Sequence, residues 1–288
     1  MINKRHLAIL HAILAAMLFG ISSPISKLLL KSIPPAWMAA LLYLGAGSGM
    51  AFVRFCIQKR KVTCMDAWFS VKEIPFIVLM ILLDIAAPIL LMTGLAWTNA
   101  ATVSLLNNFE IVATSLIAYV FFKETVGKRL WSAIALITLA SFILSMEDAG
   151  HVSFSWGAML VLLACLCWGL ENNCTRVLSV KNPMDVVLVK GFGSGLGAAF
   201  LAFLGGARFT GGWFIAAALL LGFFSYGLSI YFYVSAQREL GAAKTSAYYA
   251  LAPFIGVLIS CLILQEVPGI SFWTAFLLMI AGTCMIPR

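Results

Sequence analysis

Long apolar stretches separated by short polar turns run from one end of the chain to the other. They lie at about residues 7–30, 36–57, 74–95, 100–122, 130–146, 155–174, 184–204, 213–235, 242–264 and 270–286. A helix needs about 20 apolar residues to cross the hydrocarbon core of a bilayer, so each stretch predicts a spanning helix. The connections are too short to fold separately; the longest, about Gln58 to Glu73, holds fewer than about 20 residues. The expected fold is an all-α integral membrane protein of ten transmembrane helices, five in residues 7–146 and five in 155–286. The first apolar run continues from Leu7 to Leu30, past the roughly 7–15 residues of a signal-peptide core, and predicts a retained helix.

The two halves repeat each other. An offset of 149 places Phe19-Gly20 on Trp168-Gly169, Lys27 on Arg176 and Pro34 on Pro183. With an offset of 148, Gly45 and Gly49 fall on Gly193 and Gly197, a small-xxx-small face in the second helix of each half. An offset of 142 lays Ala100-Ala101 on Ala242-Ala243, Ser104 on Ser246, Glu124 on Glu266 and Trp131 on Trp273. Five is odd, so the second half enters the membrane the other way round. Two inverted five-helix repeats predict a pseudo-twofold axis in the membrane plane, a solute site near the midplane between the halves, and alternating access by rocking.

Composition supports the membrane reading: 62% of residues are hydrophobic and only 10% charged. The net charge of +8 would suit a nucleic-acid partner, but its distribution argues against one. With the N-terminus inside, Lys4, Arg5, Arg54, Lys59, Arg60, Lys61, Lys128, Arg129, Arg176 and Lys181 fall at cytoplasmic ends, while the outer ends keep Lys27, Lys31 and Arg208. This positive-inside pattern puts both termini in the cytoplasm, N-in/C-in. The seven cysteines are scattered, mostly inside spans, and read as small hydrophobes; no metal or cofactor is expected.

Charged groups within spans are costly, about 2.5–3.5 kcal/mol each at mid-helix on insertion scales, so each asks for an explanation. Asp84 and Glu110 lie near the middle of the third and fourth spans, at similar depth from the turn at 97–99 that joins them. Asn107 precedes Glu110 by three residues and shares its face. Glu171, flanked by Asn172 and Asn173, lies in the sixth span near its inner end, and Lys190 lies at comparable depth in the seventh. A Glu171–Lys190 ion pair and a place in the translocation path are compatible readings of these two residues. Glu110, with no basic residue expected at its depth in its own helix pair, is a candidate to bind a proton, a cationic solute or both. Asp84 is a candidate for the same pathway, with Lys244 as a partner. Neither Glu110 nor Glu171 repeats: they align with Ala252 and Ser22. A single solute site needs only one of each.

Aromatics crowd the eighth and ninth spans, among them Tyr226, Tyr231, Tyr233, Tyr248 and Tyr249. They suit a cavity holding an amine by stacking and cation–π contact, with Tyr226 and Tyr248 as its preferred members. Pro24, Pro88 and mid-span Pro253 would each free a backbone carbonyl. Glu124 and Glu266 end the fourth and ninth spans and are expected to cap the turns that follow them.

In these residues the chain resembles the ten-helix EamA-type carriers of the drug/metabolite transporter superfamily. The segments that carry the resemblance are Leu95 to Leu106 leading to Glu110, Phe122-Lys123-Glu124, Trp168 to Asn173, Leu240 to Thr245, and Ala252-Pro253. The resemblance implies a multi-pass carrier of a bacterial or archaeal type plasma membrane, often an exporter, often proton-linked, with its cavity between the halves. The expected function is secondary transport of a small polar metabolite such as an amino acid or organic amine. The expected partners are that solute and the lipid bilayer, with protons and a second copy of the chain as further candidates. An integral-membrane enzyme acting on lipid-linked substrates is the competing class, but His6, His11 and His151 are dispersed and no nucleophile motif is present. A channel or non-transporting scaffold is the remaining alternative.

Overall fold

A computed structural model describes residues 4–58, 69–122, 127–145, 147–148, 151–152, 155–207, 211–240, 245, 248–266 and 268–285. Apart from a two-residue antiparallel pairing of Glu147–Asp148 with His151–Val152, its regular structure is helical. The first half contains α1 (Lys4–Gly20), α2 (Ser22–Leu29), α3 (Pro35–Gln58), α4 (Ile74–Trp97), α5 (Ala100–Leu106), α6 (Phe109–Phe122) and α7 (Lys128–Ser145). The second contains α8 (Trp156–Leu178), α9 (Pro183–Leu204), α10 (Trp213–Gly222), α11 (Ser229–Leu240), α12 (Ala252–Ile263) and α13 (Ile270–Met285).

Among the described residues, seven helical stretches are long and apolar enough to cross a membrane: Lys4–Leu29, Pro35–Ile57, Val71–Trp97, Ala100–Phe121, Trp156–Leu178, Pro183–Leu204 and Trp213–Leu240. The apolar α12 and α13 are shorter, and α7 spans 18 residues. Large side chains such as Phe52, Phe121, Phe200, Leu262 and Leu277 point outward, as they do on a surface solvated by lipid.

Several spans are interrupted. The fourth breaks between α5 and α6 at Asn107–Asn108, where the backbone tightens into i→i−3 bonds from Asn108, Glu110 and Ile111. Asparagine side chains compete with helical bonding, which favours a break there. The ninth breaks at 250–251 and restarts as α12, so Pro253 lies in the first turn of a helix, not in its middle. Proline is tolerated there because the first-turn N–H groups have no helical partner. Pro24 likewise follows the break after Gly20. Pro88 does lie inside a helix, α4, and deprives the Asp84 carbonyl of its helical donor. Between α10 and α11, Phe223–Leu228 form a π-helical segment that turns Tyr226 into the interior. Such wide turns recur at functional sites.

The helices pack in a regular set of partners. α3 lies along α9, α5 against α12, and α7 against α13; α4 packs on α8 as α11 packs on α1; α6 packs on α8 as α12 packs on α1. Glycines set the closest approaches. Gly45 and Gly49 meet Leu219 and Phe223, while Gly193 and Gly197 meet Ile81 and Ile85. Gly191 abuts Gly47 directly: a Cβ on Gly191 would fall 2.4 Å from the Gly47 nitrogen and Cα. Backbone cannot yield as a side chain tip can. Gly191→Ala is therefore expected to push α3 from α9 and destabilise the fold by about 1–3 kcal/mol. Gly127→Ala, with nothing within 4 Å of its Cβ, is the matched control. Thermal unfolding of both variants in detergent checks the difference.

Candidate functional site

Asp84, Glu110, Glu171, Asn172 and Lys190, carried by different spans, converge on one cavity. Lys190, on α9, lies between two carboxylates: its Nζ is 2.7 Å from Glu171 Oε1 on α8 and 3.3 Å from Asp84 Oδ2 on α4. All three are deeply buried, at 1% (Asp84), 2% (Glu171) and 4% (Lys190) relative exposure. Each carboxylate also accepts a hydroxyl bond. Tyr43, on α3, donates to Asp84 Oδ1 at 2.8 Å, and Thr175 donates to Glu171 Oε1 from one turn along α8. The cluster thus joins four spans through one ammonium. It holds more acid than base.

Glu110 stands apart from that cluster, in the first turn of α6 just after the Asn107–Asn108 break. It is half-buried, and its Oε1 accepts a 2.6 Å bond from Asn172 Nδ2, which also reaches Thr114 Oγ1 at 3.3 Å. Among the described residues no cation is paired with Glu110. The cavity gathers these side chains in one place. Asp84, Glu110, Glu171, Asn172, Thr175 and Lys190 supply its polar lining. Its apolar walls are Phe19, Trp168, Tyr226, Tyr233 and Tyr249 with Tyr43, Ile230 and Val234. Phe19 is the hub, its ring centroid 5.6 Å from Tyr249, 5.7 Å from Tyr226 and 6.2 Å from Trp168. A second space shares Phe19, Glu110, Tyr233 and Tyr249 and adds Asn107, Asn108 and Pro253. Glu110 therefore faces both compartments.

The expected Glu171–Lys190 pair is present, and Lys190 is the cation beside Asp84. Lys244, the partner expected for Asp84, lies outside the described residues. Asn107 reaches the second compartment, but Asn173 reaches neither. Its Nδ2 bonds the carbonyls of Gly169 at 2.8 Å and Thr114 at 3.3 Å, fastening α8 to α6. Tyr248 is half-buried and lines neither space; its neighbour Tyr249 lines both. Nothing in the sequence marks Tyr43 and Thr175, since a hydroxyl on a span carries little cost. Phe19 and Trp168 had a signal: they occupy matching positions in the two halves, and they meet in the cavity. Among the described residues, no three His, Cys, Asp or Glu side chains converge as a metal would require.

Glu266 departs from expectation in another way. Its two carboxylate oxygens accept the N–H groups of Ala100 and Ala101, each at 2.8 Å, so it caps the start of the fourth span. Glu124 lies outside the described residues.

Comparison with known proteins agrees with this architecture. A crystal structure whose chain is 15% identical superposes with a TM-score of 0.72, covering 96% of this chain and 94% of the other; the two share a fold. A protein of Methanothermobacter thermautotrophicus strain Delta H, described as an uncharacterized transporter, is 28% identical over 290 residues, covering 95% of this chain and 84% of that one. The model of the EamA-like transporter family matches twice, over residues 6–146 and 155–287. Nearly the whole of this multi-pass membrane chain is accounted for by those two matches, and it belongs to the EamA-like transporter family.

Proposed function

We propose that the chain is an alternating-access secondary transporter, an exporter in the plasma membrane, for a small cationic or zwitterionic metabolite such as an amino acid or organic amine. The observation that carries the solute class is the charge count of the cavity. Among the described residues, three carboxylates, Asp84, Glu110 and Glu171, face a single ammonium, Lys190. Burying unmatched negative charge is costly, so the cavity favours an occupant that brings positive charge. A proton or the ammonium of the solute meets that need, which makes proton-linked exchange the natural coupling. The aromatic walls supply stacking and cation–π contact for the rest of such a solute.

The packing partners support a reading as two inverted repeats; the placement of both termini in the cytoplasm rests on the charge distribution alone. Under the sequence repeat, α4 on α8 maps onto α11 on α1, and α6 on α8 maps onto α12 on α1. The pairs α3–α9, α5–α12 and α7–α13 each join a span to its own counterpart. A twofold relation between the halves accounts for all of these pairings at once, and such halves rock about a shared central site.

A thermal-shift series on the purified protein tests the reading, using primary amines, quaternary amines, amino acids and organic acids at millimolar concentration. A solute at 100 times its Kd adds about 2.7 kcal/mol of stability. Cationic and zwitterionic members are expected to stabilise and acids to leave the transition unchanged. Stabilisation by the acids alone would overturn the solute class. Counterflow of a stabilising compound in proteoliposomes tests transport itself.

A further inference from the structure

The turn between α4 and α5 is held from two directions by opposite charges. Lys27 Nζ, from α2, donates to the carbonyls of Leu95, Ala96 and Thr98 at 2.5, 3.2 and 2.7 Å, where α4 ends. The Glu266 carboxylate, just beyond α12, accepts from the N–H groups of Ala100 and Ala101, where the next span begins. Each charge meets backbone groups that lack helical partners, and it has the sign that complements them. Charge-assisted bonds of this kind are the strong ones. Neither residue lines the cavity.

Their placement bears on the transport step. Glu266 belongs to the second half and Ala100–Ala101 to the first, so this contact ties the two halves together at one end of the bundle, the outer end on the charge distribution. When halves rock about a central site, contacts between them at one end form as those at the other end separate. A tie made by a single side chain to two backbone amides breaks as a unit. It is also repeated in the sequence with the halves exchanged: Ala100, Ala101 and Glu266 correspond to Ala242, Ala243 and Glu124, and Lys27 to Arg176.

We propose that Glu266 is a gating residue: its tie to the α4–α5 turn, which Lys27 holds in place from within the first half, keeps the outer side of the cavity shut until the halves part. The proposal rests on the alternating-access reading, and the test separates the two. Ile230 lines the cavity. Ile230→Cys is introduced into the full chain, which is reconstituted and exposed to a membrane-impermeant maleimide from one face or the other. Labelling is taken as the excess over the same chain without that substitution. Glu266→Ala and Lys27→Met are each expected to raise labelling from the outside by about tenfold, the equivalent of one lost charge-assisted bond, and to lower it from the inside. Glu266→Gln keeps one acceptor oxygen and Lys27→Arg keeps the charge; both are expected to give smaller shifts in the same direction, and they carry the test if the harsher variants do not fold. If the parent chain is labelled from both faces and no variant changes the ratio, or every variant raises both rates together, the clasp is only structural and the proposal fails. If the cysteine is reached from one face alone in every form, alternating access itself fails.

Discussion

Lys190→Met is expected to lower the stability of the folded protein by about 3–5 kcal/mol, the cost of breaking a buried ion pair from one side. The geometry explains why the loss should fall at the upper end. Among the described residues Lys190 is the only cation on Asp84 and Glu171, and it contacts both. Its removal strands two carboxylates that are almost wholly buried. Asp84→Asn should cost far less, because the cluster then holds one acid and one base. Tyr43 can still donate to the remaining amide oxygen. The combination Lys190→Met, Asp84→Asn and Glu171→Gln removes all the charge and should recover most of the single-variant loss. Chemical unfolding in detergent, read by tryptophan fluorescence, gives the order. Lys190→Met as stable as the parent would mean that the three side chains do not form a coupled charge cluster.

How much of this was legible follows from which features carry an energetic cost. An apolar run long enough for a bilayer announces itself, and so does a charge inside one. That is why the spans, Glu110, Glu171, Lys190 and Asp84 stood out. Glu171 and Lys190 could be paired because both are counted from the inner ends of adjacent spans. Counted along the sequence from the outer turn at 97–99, Asp84 shows no closeness to Lys190. The start of α4 at Ile74 puts it at comparable depth from the inner side. Tyr43 and Thr175 carry no such cost, and their role depends on how α3 and α8 are rotated about their axes. Tyr248 and Tyr249 differ by one helical step of about 100°, so which of them faces the cavity depends on how their helix is rotated about its axis. The capping residues fared similarly. Glu266 was recognised as a cap, but its target lies 165 residues away and follows from tertiary packing alone.

Glu110→Gln is expected to reduce transport by roughly 10- to 100-fold while leaving stability within about 1 kcal/mol of the parent. The first figure is the loss of one charge-assisted contact to the solute, about 1.5–3 kcal/mol. The second follows from the local bonding. Glu110 is only half-buried, and its protein partner is the Asn172 amide, which donates to Oε1 at 2.6 Å. A glutamine oxygen accepts that bond equally well, so the substitution removes the charge and keeps the shape. Asn173→Ala is the counterpart. Its bonds go to backbone carbonyls of α8 and α6 and not into the cavity, so it should cost about 0.5–1.5 kcal/mol of stability with little effect on the solute. The two variants thus separate a residue that meets the solute from one that fastens the helices beside it. Proteoliposome counterflow with a compound that stabilises the parent, paired with unfolding measurements on the same preparations, provides both readings. Wild-type counterflow in Glu110→Gln would remove this carboxylate from the pathway and leave the cavity's negative balance to Asp84 and Glu171.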